Sequence, residues 1–121
     1  MLLLIVFLQL PMLTSTQLEG VPSKNCIIRM SEDGNFVTLQ GVVDAAQWPS
    51  GTYSMAVEAR QAGSRSLSRQ GGKFDGARQS MDGMLVVSST TVYLSKGSRL
   101  AVSLKIEGAE RQTTCSLAYE R

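Results

Sequence analysis

The chain has 121 residues, a net charge of +2, 43% hydrophobic and 18% charged residues, which fits one small globular domain and argues against disorder. It contains no histidine, which removes the commonest general base, the commonest metal ligand and any Ser-His-Asp arrangement, and two cysteines without other strong ligands make no zinc site. With no phosphate-cradling glycine loop, no nucleotide-binding fingerprint and too little net charge to call for nucleic acid or an anionic membrane, the expectation is a binding protein and not an enzyme, with no cofactor, no metal, no nucleic acid and no small-molecule substrate.

The first segment reads MLLLIVFLQLPMLTST. Its apolar run from Leu2 to Leu8 is too short to span a bilayer, which takes about 20 residues. It suits the hydrophobic region of a secretory signal, with the small polar Thr14, Ser15 and Thr16 ahead of a cleavage point near Thr16 or slightly later. The run lacks a preceding Lys or Arg, so an uncleaved anchor or another start codon is the alternative. Residues 1–16 are thus expected to be a signal peptide, 17–25 a short linker and 26–121 the folded domain.

Export changes the meaning of Cys26 and Cys115. In an oxidising compartment, two cysteines near the two ends of a domain are most simply a disulfide. The bridge would close a loop of about 90 residues, worth about 4–5 kcal/mol in the chain-entropy account. The alternative, a redox-active pair, lacks the close C-x-x-C spacing of catalytic thiols.

From Cys26 onward the chain reads as short strands. Cys26, Ile28 and Met30 alternate with Ile27 and Arg29, and Glu32-Asp33-Gly34-Asn35 carries an Asp-Gly turn signal. Phe36 to Val43 follows, with Val37, Leu39 and Val43 as the inward set. Gln47 to Gly51 is expected as loop around Trp48, the single tryptophan, which is read as a cap on the core. After the central stretch, Asp75-Gly76 and Asp82-Gly83 mark turns in a loop reaching Met84. Met84 to Leu94 is rich in Val and Thr and reads as strand, with a slip near Ser88-Ser89 that predicts a bulge. Leu100, Val102, Leu104 and Ile106 alternate with polar residues, the cleanest half-buried strand in the chain. A turn at Glu107 to Glu110 then returns the chain as Gln112 to Leu117.

The central stretch runs from Gly51 to Phe74, GTYSMAVEARQAGSRSLSRQGGKF. In its first half Tyr53, Met55, Val57 and Ala59 alternate with Thr52, Ser54, Glu58 and Arg60, as in a strand with one buried face. Beyond the Gln61-Ala62-Gly63 turn, Ser64, Ser66, Ser68 and Gln70 share one face and Arg65, Leu67 and Arg69 the other. A strand polar on both sides belongs at the edge of a sheet. From Arg60 to Arg78, five basic residues stand against Asp75 alone. Two meanings fit: a charge-protected edge, or steering toward an acidic partner.

No window carries apolar residues at helical spacing. About seven strands with regular turn signals predict an all-β, immunoglobulin-like antiparallel β-sandwich. The disulfide and core-tryptophan pattern of antibody domains is absent, so the expected bridge ties the first strand to the last.

Five pieces in order resemble the curli-assembly CsgH/CsgC family, and CsgH more closely. They are C-I-I-R-M from Cys26, L-Q-G-V-V from Leu39, G-T-Y from Gly51, the serine-rich strand leading into Gln70-Gly71-Gly72-Lys73-Phe74, and the second cysteine at Cys115. The resemblance covers roughly Cys26 to Leu117. It implies a small periplasmic β-sandwich that keeps curli subunits from polymerising before secretion. CsgC-like members carry a close cysteine pair; this chain does not, which speaks against thiol exchange. The segment A-R-Q-S-M-D-G-M from Ala77 departs from the family pattern and is expected to be a variable loop.

Ser64 to Gly72 also contains S-x5-Q-x-G, similar to the opening half of the curli subunit repeat, before Lys73-Phe74-Asp75 departs from it. The expectation is that this edge imitates the amyloid ladder locally while Arg65, Arg69 and Lys73 keep it from stacking on itself. The partner-binding residues are therefore expected to be Ser64, Arg65, Ser66, Ser68, Arg69, Gln70 and Lys73, acting on the curli major subunit from a monomer. The rival expectation is a structural or adhesive immunoglobulin-like module of a cell-surface assembly.

Overall fold

The computed structural model describes residues 17–19, 26–76 and 83–121. The expected signal segment and most of the expected variable loop lie outside the described residues. The described residues form eight strands: β1 (Gln17–Glu19), β2 (Cys26–Asp33), β3 (Phe36–Asp44), β4 (Ser50–Gln61), β5 (Ser64–Asp75), β6 (Met84–Tyr93), β7 (Arg99–Gly108) and β8 (Arg111–Glu120). They form two four-stranded sheets, in the orders β1-β2-β3-β6 and β5-β4-β7-β8, and every pairing is antiparallel. The chain crosses between sheets after β3, after β5 and after β6, the wiring of an immunoglobulin-like sandwich. Inside the segment expected as a linker, β1 pairs with β2 through Gln17↔Ser31, Leu18↔Met30 and Glu19↔Arg29.

The core follows from period-two patterning. Cys26, Ile28 and Met30 of β2, Val37, Leu39 and Val43 of β3, Met55, Val57 and Ala59 of β4, and Leu100, Val102, Leu104 and Ile106 of β7 are all buried and packed into one cluster. Gly41 leaves a gap on the inner face of β3 that Leu104 fills, since a Cβ there would lie 2.8 Å from Leu104 Cδ2. Trp48 is 2% exposed and closes one end of the sandwich, with the Arg111 guanidinium 4.2 Å above its ring.

Two details differ from the reading of the sequence. Ser50 and Gly51 belong to β4 and not to the preceding loop, because the glycine lets the strand pass close to β7: a Cβ on Gly51 would meet the Glu107 carbonyl oxygen at 2.3 Å. β5 runs past the polar alternation that stops at Gln70, through Gly71-Gly72 and on to Asp75, the expected start of a turn. The Tyr53 ring lies over Gly72 in the space a side chain would take, 3.1 Å from the position of a Cβ. The bulge expected near Ser88-Ser89 is present between β3 and β6: Gly41 pairs with Ser88 and Val42 with Val86, leaving Val87 as the extra residue.

Two ties join β2 to β8 across the sandwich. Cys26 and Cys115 form the predicted disulfide, with Cα atoms 6.0 Å apart. Farther along the same strands, Tyr119 donates its hydroxyl proton to Glu32. Arg121 donates to Glu32 at 3.2 Å, to the Gly34 carbonyl at 2.8 Å and to Asn35 at 3.3 Å. The hydrogen bond to Glu32, followed by desolvation and the carboxylate charge, raises the Tyr119 hydroxyl above its ordinary 10.0. The neutral phenol is the form the fold favours, so its contribution is complete below pH 10.0 and is lost as pH rises through the folded-state value. Tyr119→Phe is expected to cost about 1 kcal/mol at neutral pH. In an alkaline absorbance titration it should also remove an ionisation step that lies above the ordinary tyrosine value.

Candidate functional site

The β4–β5 hairpin is built from two twelve-residue strands paired along their whole length, from Gln61↔Ser64 to Ser50↔Asp75. Its turn is the two residues Ala62 and Gly63, both at positive φ (45° and 85°), the geometry that matches the twist of the flanking strands. Ser64 Oγ donates to the Gln61 carbonyl at 2.8 Å. The Gln61 side chain in turn accepts from the Ser95 amide at 3.2 Å and the Ser95 hydroxyl at 2.7 Å, fixing the root of the turn to the β6–β7 connection.

Among the described residues, β5 is the end strand of its sheet and pairs only with β4. The sequence placed it at an edge because both its faces are polar, and the fold places it there. Ser64 to Arg69 are all exposed, Gln70 is half-buried, and Phe74 near the far end turns into the core.

The register separates the expected contact residues onto two sides. Ser64, Ser66, Ser68 and Gln70 stand beside Gln61, Ala59, Val57 and Met55. This is the inner face of the sheet. The buried row of β4 therefore passes directly into an exposed row of hydroxyls, because the first sheet ends at β6 and the serines stand beyond it. Arg65, Leu67, Arg69 and Lys73 stand beside Arg60, Glu58, Ala56 and Thr52 on the outward face. The fold brings the basic set together with Leu67 and brings the hydroxyl set together with Gln70. It does not merge the two.

Sequence reasoning missed the neighbours that complete the outward face. Glu58 accepts hydrogen bonds from Arg65 and, at 3.3 Å, from Arg60. Desolvation opposes ionisation of Glu58, but the guanidiniums of Arg65 and Arg60 outweigh it and hold the carboxyl below its ordinary 4.5. The charge of Arg65 is therefore answered within the sheet. Arg69 and Lys73 make no hydrogen bond or ion pair among the described residues. Leu67, 48% exposed, stands at the rim of a shallow trough floored by Ala56, Ala101, Ser103, Ser116 and Ala118. These small residues on β4, β7 and β8 fall in cross-strand register, a relation only the sheet order reveals. Among the described residues, no cluster of Cys, Asp or Glu is placed to hold a metal ion.

A family described as "CsgH protein" matches residues 25–118 of the chain. The solution structure of R. palustris CsgH is similar, with 29% identity, a TM-score of 0.63, and coverage of 77% of this chain and 89% of that one. The E. coli curli protein CsgC is similar in fold at 12% identity and a TM-score of 0.59, covering 78% of this chain and 97% of that one. A bromine derivative of BhCBM56 is similar in fold at 17% identity and a TM-score of 0.54, covering 85% and 99%. No curated protein matches the sequence.

Proposed function

The chain belongs to the CsgH family, and from that premise we propose that it is a periplasmic, chaperone-like inhibitor of curli subunit polymerisation that works through the open edge of β5. A curli-assembly role outside the cytoplasm follows from the family together with the disulfide. The observation that carries the finer reading is the character of β5. It is a twelve-residue strand, paired on one side only among the described residues, polar on both faces and basic along its outward face.

Amyloid grows by adding extended segments to an unpaired strand edge. A protein that offers such a segment an edge leading nowhere competes with growth by strand addition. The edge must be attractive to a client and unattractive to itself, and Arg65, Arg69 and Lys73 serve the second need through like-charge repulsion. Contact of this kind is weak and transient, suited to early oligomers and growing ends present at low concentration. Binding, not catalysis, is the role, and the curli major subunit is its partner.

A thioflavin-T time course of the purified curli major subunit, with and without oxidised protein below one copy per subunit, tests the reading. A strongly lengthened lag at low molar ratio is the expected result. An unchanged lag up to equimolar protein would remove the inhibitory function and favour a structural module of the curli apparatus.

A further inference from the structure

We propose that the free edge of β5 sorts partner strands by a one-faced code. It takes an extended antiparallel segment whose outward side chains are acidic, aromatic, acidic and apolar where they meet Lys73, Gly71, Arg69 and Leu67 in turn. The proposal deepens the functional reading above and rests on β5 being the contact edge.

The code follows from hydrogen-bond parity. A two-residue turn joins β4 to β5, so its flanking residues Gln61 and Ser64 form a hydrogen-bonded pair. Bonded pairs then recur at every second residue, so Ser66, Ser68, Gln70 and Gly72 direct their N–H and C=O groups to Ala59, Val57, Met55 and Tyr53. The backbone groups of Arg65, Leu67, Arg69, Gly71 and Lys73 point the other way, to the free edge. These are the same residues whose positions lie on the outward face. The groups that grip an incoming strand and the side chains that select it thus belong to one set of residues.

Each position then asks for something definite. Arg69 and Lys73, without ion partners among the described residues, ask for carboxylates four residues apart on the incoming strand. Arg65 is already engaged by Glu58 and asks for less. The half-exposed Leu67 asks for an apolar neighbour. Gly71 offers bare backbone between two cations, a place for a partner ring to lie across. A second copy of β5 fails the code, because antiparallel pairing about Leu67 sets Arg65 across from Arg69.

The test is an amide NMR titration of the ¹⁵N-labelled, oxidised protein with three nine-residue peptides. The first is Glu-Thr-Phe-Thr-Glu-Thr-Leu-Thr-Ser. The second replaces both glutamates by lysine. The third has the composition of the first with its glutamates three residues apart, which strand alternation forces onto opposite faces. The first peptide is expected to shift the amides of Leu67, Arg69, Gly71 and Lys73, to slow their exchange, and to bind about tenfold more tightly than either control. Leu67→Pro removes one outward-pointing N–H while leaving the bonds to β4 intact, and should weaken the first peptide by about tenfold with the fold retained.

Equal binding of the first and third peptides, shifts centred away from β5, or no binding of the first peptide overturns the code. Fibrillation measured in parallel separates the two claims. Inhibition without peptide discrimination removes the code and keeps the function; discrimination without inhibition does the reverse.

Discussion

Replacing both Cys26 and Cys115 by alanine is expected to lower the unfolding free energy by about 4–5 kcal/mol. The bridge spans 89 positions, and a loop of that size removes more freedom from the unfolded chain than almost any other closure available to a domain this small. Small domains hold only about 5–15 kcal/mol in total, so the loss should lower the melting temperature by about 20 °C or more. Urea unfolding of the double variant, compared with wild type with and without reductant, checks it. The reduced wild type and the variant should coincide. A midpoint unmoved by either treatment would mean that the core alone sets the stability. The hydrogen-bonded tie from Tyr119 and Arg121 to Glu32 does not replace the covalent one, because exposed or half-exposed polar contacts of this kind contribute about 1 kcal/mol each.

The second large effect is on inhibition and not on stability. Arg69→Glu combined with Lys73→Glu is expected to return the curli subunit's lag to its uninhibited length. Both side chains are exposed, and neither forms an ion pair among the described residues that the change would break. Unfolding should therefore shift by no more than about 0.5 kcal/mol. Association rates guided by charge fall by about tenfold or more on reversal, and added salt should weaken wild-type inhibition in the same direction. Arg65→Gln makes an informative companion. Its charge is already answered by Glu58, so its effect should be smaller than that of Arg69→Gln. Full inhibition by the double reversal would exclude the outward face of β5 as the contact.

Much of this architecture is written in local pattern. Strict alternation in Leu100, Val102, Leu104 and Ile106 fixes a half-buried strand because a one-residue slip would expose all four. The polar alternation of Ser64 to Gln70 fixes an edge because no interior strand can carry it. What local pattern omits is what lies across a strand. Gly51 and Gly72 look like breaks until the Glu107 carbonyl and the Tyr53 ring are seen in the space their side chains would need. The serines share a face in the sequence, yet only the offset between the two sheets decides that this face continues the buried row of Met55, Val57 and Ala59 and emerges into solvent. Glu58 reads as an ordinary solvent-facing carboxylate until register sets Leu67 beside it and brings Arg65 within reach. The site was legible as a strand and illegible as a surface.

The tie between the first and last long strands also sets how the domain bears load. With Cα atoms of Cys26 and Cys115 only 6.0 Å apart, tension that reaches the two cysteines passes through the sulfur–sulfur bond and bypasses the strands between them. The 89-position span between them would otherwise pay out to about 300 Å when fully stretched. Oxidised, the domain is a nearly inextensible link whose β5 edge stays assembled under pull; reduced, it becomes a spring that can be unravelled.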